Sequence, residues 1–131
     1  MIQNQTEIYV KDNSGILKGR CINAGKTHQS VGARVKVTVS KAKVASKQKS
    51  FKRTGLQDLL IIQTKKSIVR KDGSTLMFNG NKGVCVSLTS RTKLQLGFKR
   101  INTAVVFELK KSYSLKSGLS HNLMKLAKGL V

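Results

Sequence analysis

Between Arg34 and Lys41 the chain reads Arg-Val-Lys-Val-Thr-Val-Ser-Lys, with a valine at every second position and a basic or hydroxylated residue between. Side chains fall on alternate faces in this way only in an extended strand, and branched valines favour that conformation. The segment predicts a strand with one face in a core and the other in water. The wet face carries cations. A sheet of this kind is antiparallel and covered on one side, so its neighbours should be short strands joined by tight turns.

The rest of the first ninety or so residues supplies them. Glu7-Ile8-Tyr9-Val10-Lys11 alternates and is broken by Asp12-Asn13-Ser14-Gly15, a turn in which Asp and Asn oxygens accept local N–H bonds and Gly allows positive φ. Leu17 to Ala24 resumes as a strand, and Gly25 to Gly32 is a loop. The apolar run Leu59-Leu60-Ile61-Ile62 within Leu56 to Gln63 is too short for a helix and reads as a core strand. Thr64 to Lys71 leads to Asp72-Gly73, a hairpin signal, and Thr75 to Phe78 returns from it, with Phe78 read as core. After a turn at residues 79–83, Val84 to Leu88 is another strand. Thr89 to Lys93 is a polar turn, followed by an extended stretch from Leu94 to Ile101. Two short helices are expected beyond it, Ala104 to Lys111 and about Ser120 to Lys128, the second with Leu123, Leu126, Ala127 and Leu130 at helical spacing and Ser120 as cap. No repeat or linker divides the 131 residues, so the expectation is one domain, a barrel over about 1–101 and a helical tail over about 103–130. About six short strands with frequent Gly turns favour a small closed barrel over an open sheet.

Charge indicates what such a barrel is for. Lys and Arg number 26 against five acids (Glu7, Asp12, Asp58, Asp72 and Glu108), a formal net charge of +21. Self-repulsion on that scale disfavours a lone compact state, whereas a polyanion neutralises it and releases counterions. The expected contacts to phosphate are Lys41, Lys43, Lys47, Lys49, Lys52 and Arg53 in a basic loop, with Lys65, Lys66, Arg70 and Lys71 on the hairpin. Phe51, within the basic loop, is the expected stacking aromatic.

Other chemistries find little support. No stretch of 18 apolar residues exists to span a bilayer. Cys21 and Cys85 lie in apolar surroundings without Cys or His at zinc-ligand spacing, which reads as two buried thiols with no metal and no cofactor. Asp12, Ser14 and His28 can be written as a triad, but no nucleophile elbow or oxyanion pattern accompanies them, and catalysis is not expected. From the residues alone, a stand-alone single-strand RNA- or DNA-binding barrel, or an RNA chaperone, stays open beside a structural RNA-binding protein.

The segment Thr64 to Val86, TKKSIVRKDGSTLMFNGNKGVCV, carries more than generic basic character. It resembles the signature of the universal large-subunit ribosomal protein number fourteen family: a branched apolar strand (Leu60-Ile61-Ile62), Thr64-Lys65-Lys66, Arg70, Asp72-Gly73-Ser74, Phe78, Asn81 and Val84. Met1-Ile2-Gln3, Thr6, Asp12-Asn13-Ser14-Gly15, Cys21 and Val31-Gly32 agree near the start, and Arg100-Ile101, Glu108-Leu109 and Leu126-Ala127 near the end. The resemblance spans essentially the whole chain.

That resemblance implies a mainly β fold, a five-stranded barrel with a protruding β-ribbon and a short C-terminal helical part. It also implies binding to large-subunit rRNA at the face toward the small subunit, beside neighbouring large-subunit proteins. Bridges to small-subunit rRNA and a docking surface for a ribosome-silencing factor are further implied, with Lys99, Arg100 and Ile101 at that contact surface. The chain departs from the family pattern at Ala33, where members have Asp, at Asn102 to Val105, which lacks the usual Gly and Pro, and at Phe107 and Asn122, which stand where members have Arg and Lys. These changes, the lack of proline and 20 Lys against 6 Arg resemble a protein from an AT-rich organellar genome. With the family pattern starting at Met1 and no cleavable presequence recognised, the expected location is a ribosome of the mitochondrial matrix, the alternatives being a plastid or the bacterial cytoplasm.

Overall fold

In the computed structural model, which describes residues 2–24, 30–43, 55–90, 93–97, 100–111 and 117–131, the valine alternation forms the strand it demands. The elements in chain order are β1 (Glu7–Val10), β2 (Ile16–Asn23), β3 (Arg34–Ala42), β4 (Leu56–Gln63), β5 (Ile68–Val69), β6 (Thr75–Leu76), β7 (Lys82–Ser90), β8 (Lys93–Leu96) and β9 (Ile101–Val105). A 3₁₀ turn (Phe107–Lys111), the helix α1 (Ser117–Leu126) and β10 (Ala127–Leu130) follow.

Five strands close a barrel in the order β1-β2-β3-β4-β7. All its pairings are antiparallel except the closing one, where β1 runs parallel to β7 with Tyr9 opposite Lys82 and Val10 opposite Gly83. Closing so few strands requires strong bending, and register shifts supply it: β2 slips against β3 between Ile16 and Lys18, Lys18 and Gly19, and Cys21 and Asn23. Gly19 lies at this crowded corner because a Cβ there would come within 2.8 Å of Val37 Cγ2.

The inner residues of these strands form one core: Ile8, Val10, Ile16, Cys21, Val35, Val37, Leu59, Ile61 and Cys85 are all buried in a single cluster. A second cluster lies outside the wall. It contains Leu60, Ile62, Val84 and Val86 from β4 and β7, packed against Ile101, Val105, Leu109, Leu119 and Leu123 of the C-terminal segment. Strand β4 is thus covered on both faces, which is why its sequence is a continuous apolar run without alternation.

The expected mainly β fold of five-stranded barrel, ribbon and short C-terminal helix is the observed one. The ribbon is β5 paired with β6, Ile68 opposite Leu76 and Val69 opposite Thr75, separate from the barrel sheet. Gly73 (φ 83°) turns it, and Asp72 Oδ1 accepts bonds from the Ser74 amide (3.0 Å) and hydroxyl (2.7 Å).

Details of the second half differ. Ala104 to Lys111 is no helix: its start belongs to β9, and the remainder is the 3₁₀ turn. Val105 and Val106 are β-branched and fully buried, and β9 gains a parallel partner, β10, with Leu130 opposite Val105. Helix α1 starts at Ser117 and yields at Ala127 to that strand, so it is shifted toward the N-terminus of its expected span. The turn and α1 together make the crossover that a parallel pair requires. The expected turn at Thr89 is the continuation of β7 through Ser90. Phe78 is half-buried and outside both core clusters.

Candidate nucleic-acid interface

Strand alternation sends the barrel's cations outward. On β2 and β3, Arg20, Arg34 and Lys36 are exposed and Lys18 is half-buried, while their inward neighbours Cys21, Val35 and Val37 fill the core. Lys41 and Lys43 are exposed at the end of β3. In register, Lys18 faces Lys41 and Arg20 faces Thr38. Like charges directly opposite each other destabilise a sheet, and relief comes from β1, where Glu7 lies opposite Arg20 and bonds Lys18 at 3.3 Å. The Lys18 ammonium also stands 4.8 Å from the centroid of the Tyr9 ring, and Tyr9 first, then Glu7, holds its pKa above the ordinary lysine value.

Three of the five acids are occupied away from these wall cations, while Glu7 and Asp58 lie among them. Asp12 accepts the Ser14 amide on Oδ1 (2.9 Å) and the Cys85 amide on Oδ2 (2.6 Å). Asp72 is committed to Ser74, which holds its carboxyl below the usual range. Glu108 takes Arg70 in a two-point pair, 2.6 Å to Nε and 3.3 Å to Nη2. Asp58 lies opposite Lys36 in the β3–β4 ladder.

The expected phosphate contacts on the ribbon divide accordingly. Lys65, Lys66 and Lys71 are exposed, whereas the Arg70 guanidinium is spent on tying the ribbon to the 3₁₀ turn. Lys65 is positioned by Asn81: its amide donates to Asn81 Oδ1 (2.9 Å), while the Asn81 carbonyl accepts the Tyr9 amide (2.9 Å). The ribbon base therefore abuts the β1 edge of the wall. Of the expected basic loop, Lys47, Lys49, Lys52 and Arg53, together with Phe51, lie outside the described residues. So do Lys99 and His28. Arg100 is exposed, but the side chain of Ile101 is 2% exposed and belongs to the outer core cluster.

Asp12 and Ser14 serve the architecture. The Ser14 hydroxyl accepts the Ile16 amide (3.2 Å) and faces Cys85 Sγ (3.7 Å), all of it buried. Burial, foremost, raises both thiols, Cys85 far above the ordinary range, so neither is a ready nucleophile. Neither cysteine is in a disulfide. Among the described residues no group of three His, Cys, Asp or Glu converges on a point. A pocket of about 420 Å³ opens between Val31, Ile68 and Glu108, with Lys66 at its rim.

Arg20, Arg34, Lys36 and Lys18 are the wall cations that a reading of charge density passes over, because they do not cluster in sequence. For Arg34 and Lys36 the signal is the valine alternation itself, whereas Arg20 is turned outward between the buried Gly19 and Cys21 of β2. The arrangement is a curved barrel surface of cations spaced by strand geometry, with exposed ammonium groups on the adjoining ribbon. Such a surface positions phosphates and follows the shape of a folded RNA. Residues 1–123 match the family model described as ribosomal protein L14p/L23e.

Proposed function

Since the chain belongs to the L14p/L23e family of ribosomal proteins, structural constituents of the large ribosomal subunit, we propose that it holds large-subunit rRNA against the outer wall of β1–β3 and the ribbon. The observation that carries this reading is the run of exposed cations on that wall, Arg20, Arg34 and Lys36, which Glu7 beside Lys18 and Asp58 opposite Lys36 offset only in part. Lys41, Lys43, Lys65, Lys66 and Lys71 extend it, and the basic residues Lys47, Lys49, Lys52 and Arg53, which follow β3 in sequence, add to it in the same reading. Arg70 contributes by orienting the ribbon through Glu108.

Within the same reading, the segment around Lys99 and Arg100 serves contacts at the intersubunit face, toward small-subunit rRNA and a ribosome-silencing factor, with neighbouring large-subunit proteins alongside. Ile101 itself is buried in the outer core cluster. The Lys-rich, proline-free composition supports a mitochondrial ribosome as its place of work. Sedimentation tests the whole: the chain should remain with the large subunit through a moderate-salt gradient. Recovery in a free soluble pool overturns the proposal and supports a stand-alone RNA-binding barrel instead.

A further inference from the structure

Tyr9 has no place in either core cluster, yet among the described residues it is the aromatic that the barrel presents on its cationic wall, 39% exposed at the centre of β1. Register sets a lysine on each side of it, Lys18 on β2 and Lys82 on β7. Residues directly opposite each other in a ladder project to the same face. Lys65 reaches the same edge through Asn81, as described above. Gly80 passes beside the ring without a side chain to cover it, and a Cβ there would stand 3.8 Å from Tyr9 Cδ2 and Cε2. The Lys82 ammonium rests 3.5 Å from Thr103 Oγ1, a long bond that a phosphate can displace. An exposed ring flanked by lysines on a sheet surface is the arrangement on which unpaired bases stack while cations take the flanking phosphates.

We propose that Tyr9 is a stacking platform for one unpaired nucleotide of RNA, with Lys18 and Lys82 holding the phosphates on either side of it. This rests on the rRNA-binding reading and names a contact within it. In the RNA-free protein Lys18 covers the ring. Its hold there is weak, because the Lys18 and Glu7 side chains are 33% and 49% exposed, and exposed pairs contribute little in water. An arriving base takes the place of the ammonium on the ring, and the ammonium moves to the phosphate.

The chain contains no Trp and two Tyr, Tyr9 and Tyr113, so in a Tyr113→Phe background the tyrosine emission is that of Tyr9 alone. A short oligoadenylate and a large-subunit rRNA transcript are titrated into the full chain in this background. Stacking should quench the emission along the same curve as binding. Tyr9→Ala should weaken oligoadenylate binding by about tenfold at every salt concentration with an unchanged salt slope, while Tyr9→Phe keeps the affinity. Lys18→Gln or Lys82→Gln should lower the salt slope by about 0.7 each, the signature of a lost phosphate contact on a single strand. Binding of rRNA without quenching, or with no grip on oligoadenylate, overturns the platform and leaves the rRNA reading standing. If Tyr9→Ala lowers thermal stability but not affinity, the ring is structural and the proposal falls. A wild-type chain that binds neither RNA removes the rRNA reading as well.

Discussion

Asp12 offers the sharpest test of how the barrel is tied together. Its two carboxylate oxygens accept different backbone amides, Ser14 across its own turn and Cys85 on β7, 73 positions away in sequence. Hydrogen bonds to a charged group contribute roughly 1.5–3 kcal/mol each, and a buried amide left without a partner costs about 1–3 kcal/mol. Cys85 is 1% exposed, so water cannot replace the lost acceptor. Asp12→Ala should therefore cost about 3 kcal/mol, a large share of the roughly 5–15 kcal/mol that holds a domain together. With a slope of about 2 kcal/mol per molar urea, the unfolding midpoint should fall by about 1.5 M. Asp12→Asn should be almost as damaging: an amide keeps one acceptor but turns an N–H donor toward the other backbone N–H. The assay is urea denaturation of the full chain in enough salt to screen self-repulsion, with exchange of the Cys85 amide followed alongside. Full stability in Asp12→Asn, or a loss below about 0.5 kcal/mol in Asp12→Ala, refutes the two-acceptor role.

Three further outcomes are expected. Gly19→Ala should cost about 1–3 kcal/mol by overpacking, read as a lower melting temperature, because its Cβ would lie 2.8 Å from Val37 Cγ2. Leu123→Ala, removing a fully buried anchor of α1, should cost about 2–5 kcal/mol and open residues 117–131 to proteolysis before the barrel yields. Asp72 has its folded pKa lowered, so its contribution to the hairpin is present above the ordinary carboxyl value of 3.8 and is lost as pH falls through the lower folded value. An NMR titration should place its carboxyl midpoint below 3.8 in the wild type and nearer 3.8 in Ser74→Ala, where the hydroxyl donor is gone.

Periodicity and turn chemistry were enough to read β1 to β4, the ribbon and β7 from the residues alone, because those segments state their environment locally. Valines at every second position specify one buried face, and Asp72-Gly73 specifies a turn whatever surrounds it. The ionic character of the surface is equally local, since side chains between inward valines have nowhere to go but water. The wall cations Arg34 and Lys36 follow from that geometry, although charge density alone points to the loops instead.

What the residues could not state is who meets whom at long range. The stretch from Ala104 to Lys111 is compatible with a helix in isolation and becomes a strand and a 3₁₀ turn because residues 127–130 arrive beside it and pair. Arg70 looks like a phosphate ligand until the 3₁₀ turn brings Glu108 to it, and Ile101 looks like surface until α1 and β9 fold over the wall. Tyr9 is one alternating residue among many until barrel closure sets Lys18 and Lys82 on either side of it. The sequence by itself determined β1 to β4, the ribbon and β7 and their wet basic face, because each depends on neighbours one or two residues away. Only the tertiary structure decided which cations remain available, which are neutralised and which aromatic stands among them, because those depend on contacts between segments dozens of residues apart.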